Sequence, residues 1–179
     1  AILSPPSTEE ADFDVFFIHN EGYSTMCGHA IIALTKFVLE SRLLTPKQAG
    51  QLTINVPAGT VYAKAKIDGE QVIESSFTNV PSYLYLKDQV VNVPGIGTVR
   101  FDIAFGGAYY AFVEAETLGL EMTPNYYNQL IDYGRRIKYA VMEQFDIQHP
   151  TEKDLSFLYG TIFTGKAENP AHHSRNVCV

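Results

Sequence analysis

The sequence predicts an α+β fold in which β-sheet wraps around a central buried helix, followed by a second strand-and-helix unit that is incomplete. Three observations carry that prediction. Residues 30–39, Ala-Ile-Ile-Ala-Leu-Thr-Lys-Phe-Val-Leu, are helix formers and apolar on almost every side for two turns, which marks a buried helix. A series of short β-prone segments separated by turn residues comes next. Beyond them, a strand, a long helical stretch and further strands repeat the alternation. With 179 residues, 46% of them hydrophobic, the chain can bury a sizeable core as one large domain or two small ones.

In order along the chain, residues 13–19 form an apolar, β-prone run that ends at the turn signal Asn20-Glu21-Gly22. The loop through Tyr23 to His29 then leads into the helix of residues 30–39, with Ser24 or Thr25 available to cap it. Strands are expected at 52–56, 60–67, 71–77, 89–93 and 98–104, mainly antiparallel and punctuated by Pro57, Asp68-Gly69 and Pro94-Gly95. A strand at 109–114 precedes a helix that opens at Thr123-Pro124, with proline at its first position, and runs to about Phe145. Strand pattern returns at 155–163 and 176–179. The break at Asn79-Val80-Pro81 divides residues 1–78, the first unit, from 79–179, the incomplete second one. The chain starts without methionine and stops inside an alternating pattern, so both ends are expected to continue.

Composition excludes several classes of function. The net charge of -7 comes with no basic patch, so nucleic acid is a poor partner. No apolar run approaches the length of a membrane span, and the first residues lack the features of an export signal. The two cysteines, Cys27 and Cys178, sit far apart in unlike settings, which fits a reducing, cytoplasmic location and no disulfide framework.

The segment Thr25-Met26-Cys27-Gly28-His29 puts a thiol where a helix begins. Unpaired backbone N-H groups and the helix dipole favour negative charge there, and a thiolate is both base and nucleophile. Gly28, without a side chain, lets a ligand carboxylate approach the same N-H groups. Local pattern alone leaves a second reading open, since a lone cysteine beside an apolar helix also serves as a small core residue. Cys27 and His29 are two residues apart and point to different faces, so they are not read as a nucleophilic dyad. His172-His173 fits no zinc spacing, Cys178 reads as a core side chain, and Phe105-Gly106-Gly107 reads as a bulge or tight turn rather than a phosphate loop.

At Glu21-Gly22-Tyr23-Ser24-Thr25-Met26-Cys27-Gly28-His29-Ala30 the chain closely resembles the proline racemase family. The resemblance continues at Val80-Pro81-Ser82-Tyr83-Leu84, at Asp102-Ile103-Ala104-Phe105-Gly106-Gly107, at His149-Pro150 and at Asn176-Val177. It implies a fold similar to diaminopimelate epimerase, two pseudo-symmetric units with the active site between them. It also implies that Cys27 is the first catalytic base, that the backbone N-H groups of Gly28 and His29 hold the substrate carboxylate, and that the His29 side chain lies near the substrate nitrogen. The substrate would be a proline-type imino acid, with no cofactor and no metal required, and a homodimer is compatible with the resemblance. The family's second half-site, Asp-Arg-Ser-Pro followed by cysteine or threonine, is not in this chain. Cysteine there implies proline racemase or hydroxyproline epimerase, and threonine implies trans-3-hydroxy-L-proline dehydratase. Glu-Gly-Tyr-Ser-Thr before the motif and Asn-Val-Cys-Val at the end resemble the dehydratase branch more. A non-catalytic domain of the same fold is the alternative of another class. Diaminopimelate epimerase ranks last, because its motif carries asparagine where this chain has His29.

Overall fold

Alternating burial along Phe13–His19 (buried, half-buried, buried, exposed, buried over the first five residues) is the period of two that makes this run a strand with one face on a core. In the computed structural model, which describes residues 1–19 and 22–179, Ile2–Ser4 (β1) pairs antiparallel with this strand, β2. Gly22–Ser24 (β3) also pairs with β2, whereas Asn20 and Glu21 of the expected turn lie outside the described residues. The helix Gly28–Ser41 (α1) then connects β2 to Gln51–Val56 (β4), which lies parallel to it. Gly59–Asp68 (β5) and Gln71–Thr78 (β6) complete the sheet by antiparallel pairing, in the order β1-β2-β4-β5-β6. These elements make up one compact unit, Ala1–Pro81.

Helix α1 packs on β5 and β6. Its buried residues, Ile31, Thr35 and Val38, recur at the spacing of a single helix face. The expectation of a helix buried on nearly every side is corrected here: Ile32 is 44% exposed and Phe37 55%. One sheet covers one side of a helix, and apolar composition cannot say how many sides will be covered. The helix ends at Arg42, whose left-handed backbone (φ 53°) occupies the position usually taken by glycine.

The second unit, Ser82–Val179, has its own sheet, ordered β11-β10-β9-β8-β7. Tyr83–Val93 (β7), Gly97–Phe105 (β8) and Tyr109–Glu114 (β9) form an antiparallel meander. Strand β7 begins six residues before the predicted 89–93 segment; its register shifts between Leu84 and Gln89, which obscures the alternation in the sequence. At that irregularity Asp88 adopts a positive φ of 55°, and the Asp102 carboxylate accepts its N-H at 2.6 Å.

Tyr127–Gln144 (α2) crosses over to Leu158–Gly165 (β10), which runs parallel to β9, and Arg175–Cys178 (β11) adds the edge. Leu130, Gly134, Ile137, Ala140 and Val141 form the buried stripe of α2, against β10 and β7. The predicted start at Pro124 is corrected to a short 3-10 turn, Pro124–Tyr126, before the α-helix proper. Leu155, the first residue of the predicted strand, is likewise corrected: it closes a 3-10 turn, Lys153–Leu155, ahead of β10. No described helix is long and apolar enough to cross a membrane.

Candidate active site

The loop that delivers Cys27 to the start of α1 is held from two sides. Ser24 and Thr25 are buried, at 8% exposure each. The Ser24 hydroxyl donates to the Met26 carbonyl at 2.8 Å, and the Ala58 N-H, in the β4–β5 turn, donates to the Thr25 carbonyl at 3.1 Å. This corrects the expected helix cap, because Ser24 is engaged within the loop and the N-cap position belongs to Cys27.

Cys27 has an extended backbone (φ -141°, ψ 100°), and its carbonyl accepts the Ile31 N-H at 3.0 Å, the first bond of α1. Its side chain is a free thiol, half-buried. No side chain caps the helix and no acidic residue stands in its first turn. The N-H groups that open an α-helix have no acceptor within it, so those beside Cys27 are left to a ligand or to water. A thiol and a positively polarised helix end are therefore adjacent.

Gly28 and His29 occupy the first two helical positions, half-buried and exposed respectively. Gly28 is closely approached from within the protein: a β-carbon there would lie 3.1 Å from Phe77 Cζ and 3.5 Å from Cε1. Phe77, near the end of β6, is a neighbour that sequence reasoning missed. The contact joins residues distant along the chain, and no local pattern announces it.

The other motifs meet in the second unit. Tyr83, Phe105 and His149, from three separate segments, share one aromatic cluster with Tyr109. Ring centroids are 5.3 Å apart for Tyr83 and Phe105, 5.0 Å for Phe105 and His149, and 4.9 Å for Phe105 and Tyr109. Tyr109 is fully buried, with its hydroxyl 2.5 Å from that of Tyr83 and 3.4 Å from the Gln148 carbonyl. Burial first, and the bond to Tyr83 second, push its phenol far above the usual tyrosine range. His149 Nδ1 accepts the Glu152 N-H at 3.1 Å and so holds the turn that follows.

Phe105-Gly106-Gly107 leads into the tight turn between β8 and β9, where Gly107 has φ 106°. Cys178 lies on edge strand β11 as an exposed residue, which corrects its reading as core. Its sulfur is nevertheless desolvated beside Tyr110, and that burial pushes the thiol up. Among the described residues, no three His, Cys, Asp or Glu side chains gather to hold a metal ion. A groove of about 420 Å³ in the second unit, with Leu84, Arg100, Asp102, Phe112 and Glu114 among its lining residues, is lined by neither cysteine nor histidine.

Residues 1–179 match the family model described as proline racemase. The chain is 51% identical over 180 residues to a trans-3-hydroxy-L-proline dehydratase of Colwellia psychrerythraea, covering 100% of this chain and 51% of that protein. It is 43% identical over 185 residues to the human trans-3-hydroxy-L-proline dehydratase, covering 100% of this chain and 52% of the relative. A crystal structure of a hydroxyproline epimerase from Agrobacterium vitis with bound trans-4-hydroxy-L-proline superposes with a TM-score of 0.89 at 25% identity, over 98% of this chain and 50% of that one. The chain thus spans about half the length of the relatives it matches.

Proposed function

This chain belongs to the proline racemase family, and from that premise we propose that Cys27, as a thiolate, removes the α-proton of a proline-type imino acid, most specifically trans-3-hydroxy-L-proline. The observation that carries the proposal is the thiol at an uncapped helix start, next to backbone donors and a residue without a side chain.

The chemistry follows from the weakness of the acid. A Cα-H beside a carboxylate loses its proton only if the charge passed to the carboxylate is stabilised, and preorganised N-H groups do this as an oxyanion hole does. The N-H groups of Gly28 and His29 take that role here, with the His29 side chain toward the substrate nitrogen. The Cα-H bond breaks, its proton goes to sulfur, and its electron pair forms a Cα=Cβ bond as the β-hydroxyl leaves. The leaving oxygen takes the proton held on sulfur, which restores the thiolate, so the products are water and a cyclic enamine carboxylate, which tautomerises to the cyclic imine. A thiolate base and fixed donors are sufficient for this step, without a cofactor. The same reading extends to the fold: the two sheet-and-helix units are taken as halves of a pseudo-symmetric, diaminopimelate epimerase-like architecture.

Racemisation or 2-epimerisation is the second reading, supported by the likeness to the hydroxyproline epimerase. It requires a second base to return a proton to the opposite face, where the dehydratase needs only one. Incubation of the full-length protein with trans-3-hydroxy-L-proline in D2O distinguishes them by NMR. Loss of the hydroxyl-bearing carbon's proton signal and appearance of the cyclic imine, deuterated at the former hydroxyl-bearing carbon, are expected; a deuterated, inverted α-carbon with the hydroxyl retained would establish epimerisation instead. The chain of residues 1–179 alone is expected to bind proline analogues weakly and to turn over nothing.

A further inference from the structure

We propose that Phe77 is the substrate-positioning wall of the Cys27 site, its ring seated on Gly28 so that the ring carbons of the imino acid lie against it while the carboxylate meets the first-turn N-H groups. The inference rests on the assignment of Cys27 as the base.

The geometry begins at Gly28, where a β-carbon would be 3.1 Å from Phe77 Cζ, tighter than ordinary van der Waals contact. The glycine is therefore matched to the phenyl ring as well as to any ligand. Phe77 lies on β6, which packs against α1, and it shares the half-buried side of that strand with Ser75. Its burial is intermediate, whereas Phe13 and Phe17 of the same sheet are sealed at 3% and 5% exposure. A phenyl ring in contact with the helix start, yet open on part of its surface, presents an apolar face beside polar donors.

That pairing suits the ligand chemistry. Backbone N-H groups alone accept any small carboxylate, whereas a proline ring adds methylene carbons that gain from leaving water. A wall placed beside the donors also fixes which carbon faces the thiolate, and orientation of this kind governs the rate of proton removal.

The test uses the full-length protein and the protection of Cys27 from iodoacetamide by pyrrole-2-carboxylate, with glycine as a carboxylate that lacks the ring. Phe77→Ala is expected to weaken protection by pyrrole-2-carboxylate about ten-fold and to leave that by glycine within about two-fold, the difference being the lost apolar contact. Phe77→Leu, which keeps apolar bulk, should retain protection within about three-fold. In turnover the Phe77→Ala defect should appear as a lowered kcat together with a raised KM, because both the apolar contact and the orientation of the α-carbon are lost. Equal protection by pyrrole-2-carboxylate in Phe77→Ala and the parent would overturn the proposal. Should Phe77→Ala not fold, Phe77→Val, β-branched and suited to strand β6, decides in its place: protection by pyrrole-2-carboxylate should weaken several-fold with that by glycine unchanged, and unaltered protection by pyrrole-2-carboxylate refutes the wall. If Cys27 of the parent protein reacts slowly and no proline analogue protects it, the assignment of Cys27 as the base has failed instead.

Discussion

The two helices of this chain start in different ways, and the difference locates its chemistry. Helix α1 begins directly after Cys27, with glycine and histidine in its first positions and no capping side chain. Helix α2 is preceded by a 3-10 turn in which Pro124 has no N-H, the Tyr126 N-H donates to the Thr123 carbonyl at 3.0 Å, and the Tyr127 N-H turns to the Pro124 carbonyl. The donors that α1 leaves open are in α2 absent or used within its own turn. A helix on a sheet is common to both units, but in the first it starts at a residue bearing a free thiol, and in the second it starts from a closed turn. The second unit holds instead the Tyr83–Phe105–Tyr109–His149 cluster.

The sharpest way to break this contrast is Cys27→Ser in the full-length protein. A serine hydroxyl is a far weaker base, so kcat for dehydration should fall by roughly 10³-fold or more, while the urea midpoint hardly moves because Cys27 is half-buried and in no disulfide. Steady-state kinetics alongside denaturation would check both. Preserved turnover would move the chemistry away from the start of α1.

A substitution in the second unit should do the opposite, harming stability and leaving the thiol alone. Gly134, in the interior of α2, has Val179 so close that a β-carbon would lie 2.6 Å from Val179 Cβ. Gly134→Ala gains up to about 1 kcal/mol of helix propensity but overpacks that contact. A net loss of about 2 kcal/mol is expected by urea unfolding, with the rate of Cys27 alkylation unchanged.

Tyr109→Phe removes the buried member of a partly buried hydroxyl pair and should cost about 1 kcal/mol. Its effect has a pH signature. The folded-state pKa of Tyr109 is raised, so the folded protein holds the phenol proton when the unfolded chain has released it. The stability contributed is therefore complete below the unfolded value of about 10 and is lost as pH rises above it. Unfolding midpoints measured from pH 8 to pH 11 should decline less steeply in Tyr109→Phe than in the parent.

The smallest effect is expected at the C-terminal end of α1. Arg42→Gly relieves a left-handed backbone and should stabilise by about 0.5 to 1 kcal/mol. Its ion pair with Glu70 at 2.5 Å is exposed, and losing it offsets little of that gain. A lowered melting temperature would mean that the pair matters more than the backbone.

Much of this was legible in the sequence because it is local. Alternation and punctuation gave nearly every strand of both sheets, and β9 at Tyr109–Glu114 falls where predicted. The segment Thr25 to His29 announced a thiol at a helix start, since a motif of adjacent residues needs no fold to be read. Errors arose where one local bond displaced another or where strand order decided exposure. Ser24 or Thr25 was expected to cap α1, but Ser24 bonds the Met26 carbonyl two residues on, and Cys178 was read as core but lies on an edge strand.

By itself, then, the sequence determined which segments are strands and helices, which helix carries a thiol at its start, and which family the motifs resemble, all properties of residues near one another along the chain. Only the tertiary structure decided that α1 is covered on one face, that Phe77 rests on Gly28, that Gly134 makes room for Val179, and that Tyr83, Phe105 and His149 share one cluster. Each of those is a close approach between distant segments, set by packing, and a one-dimensional pattern records the residues that meet without recording the meeting.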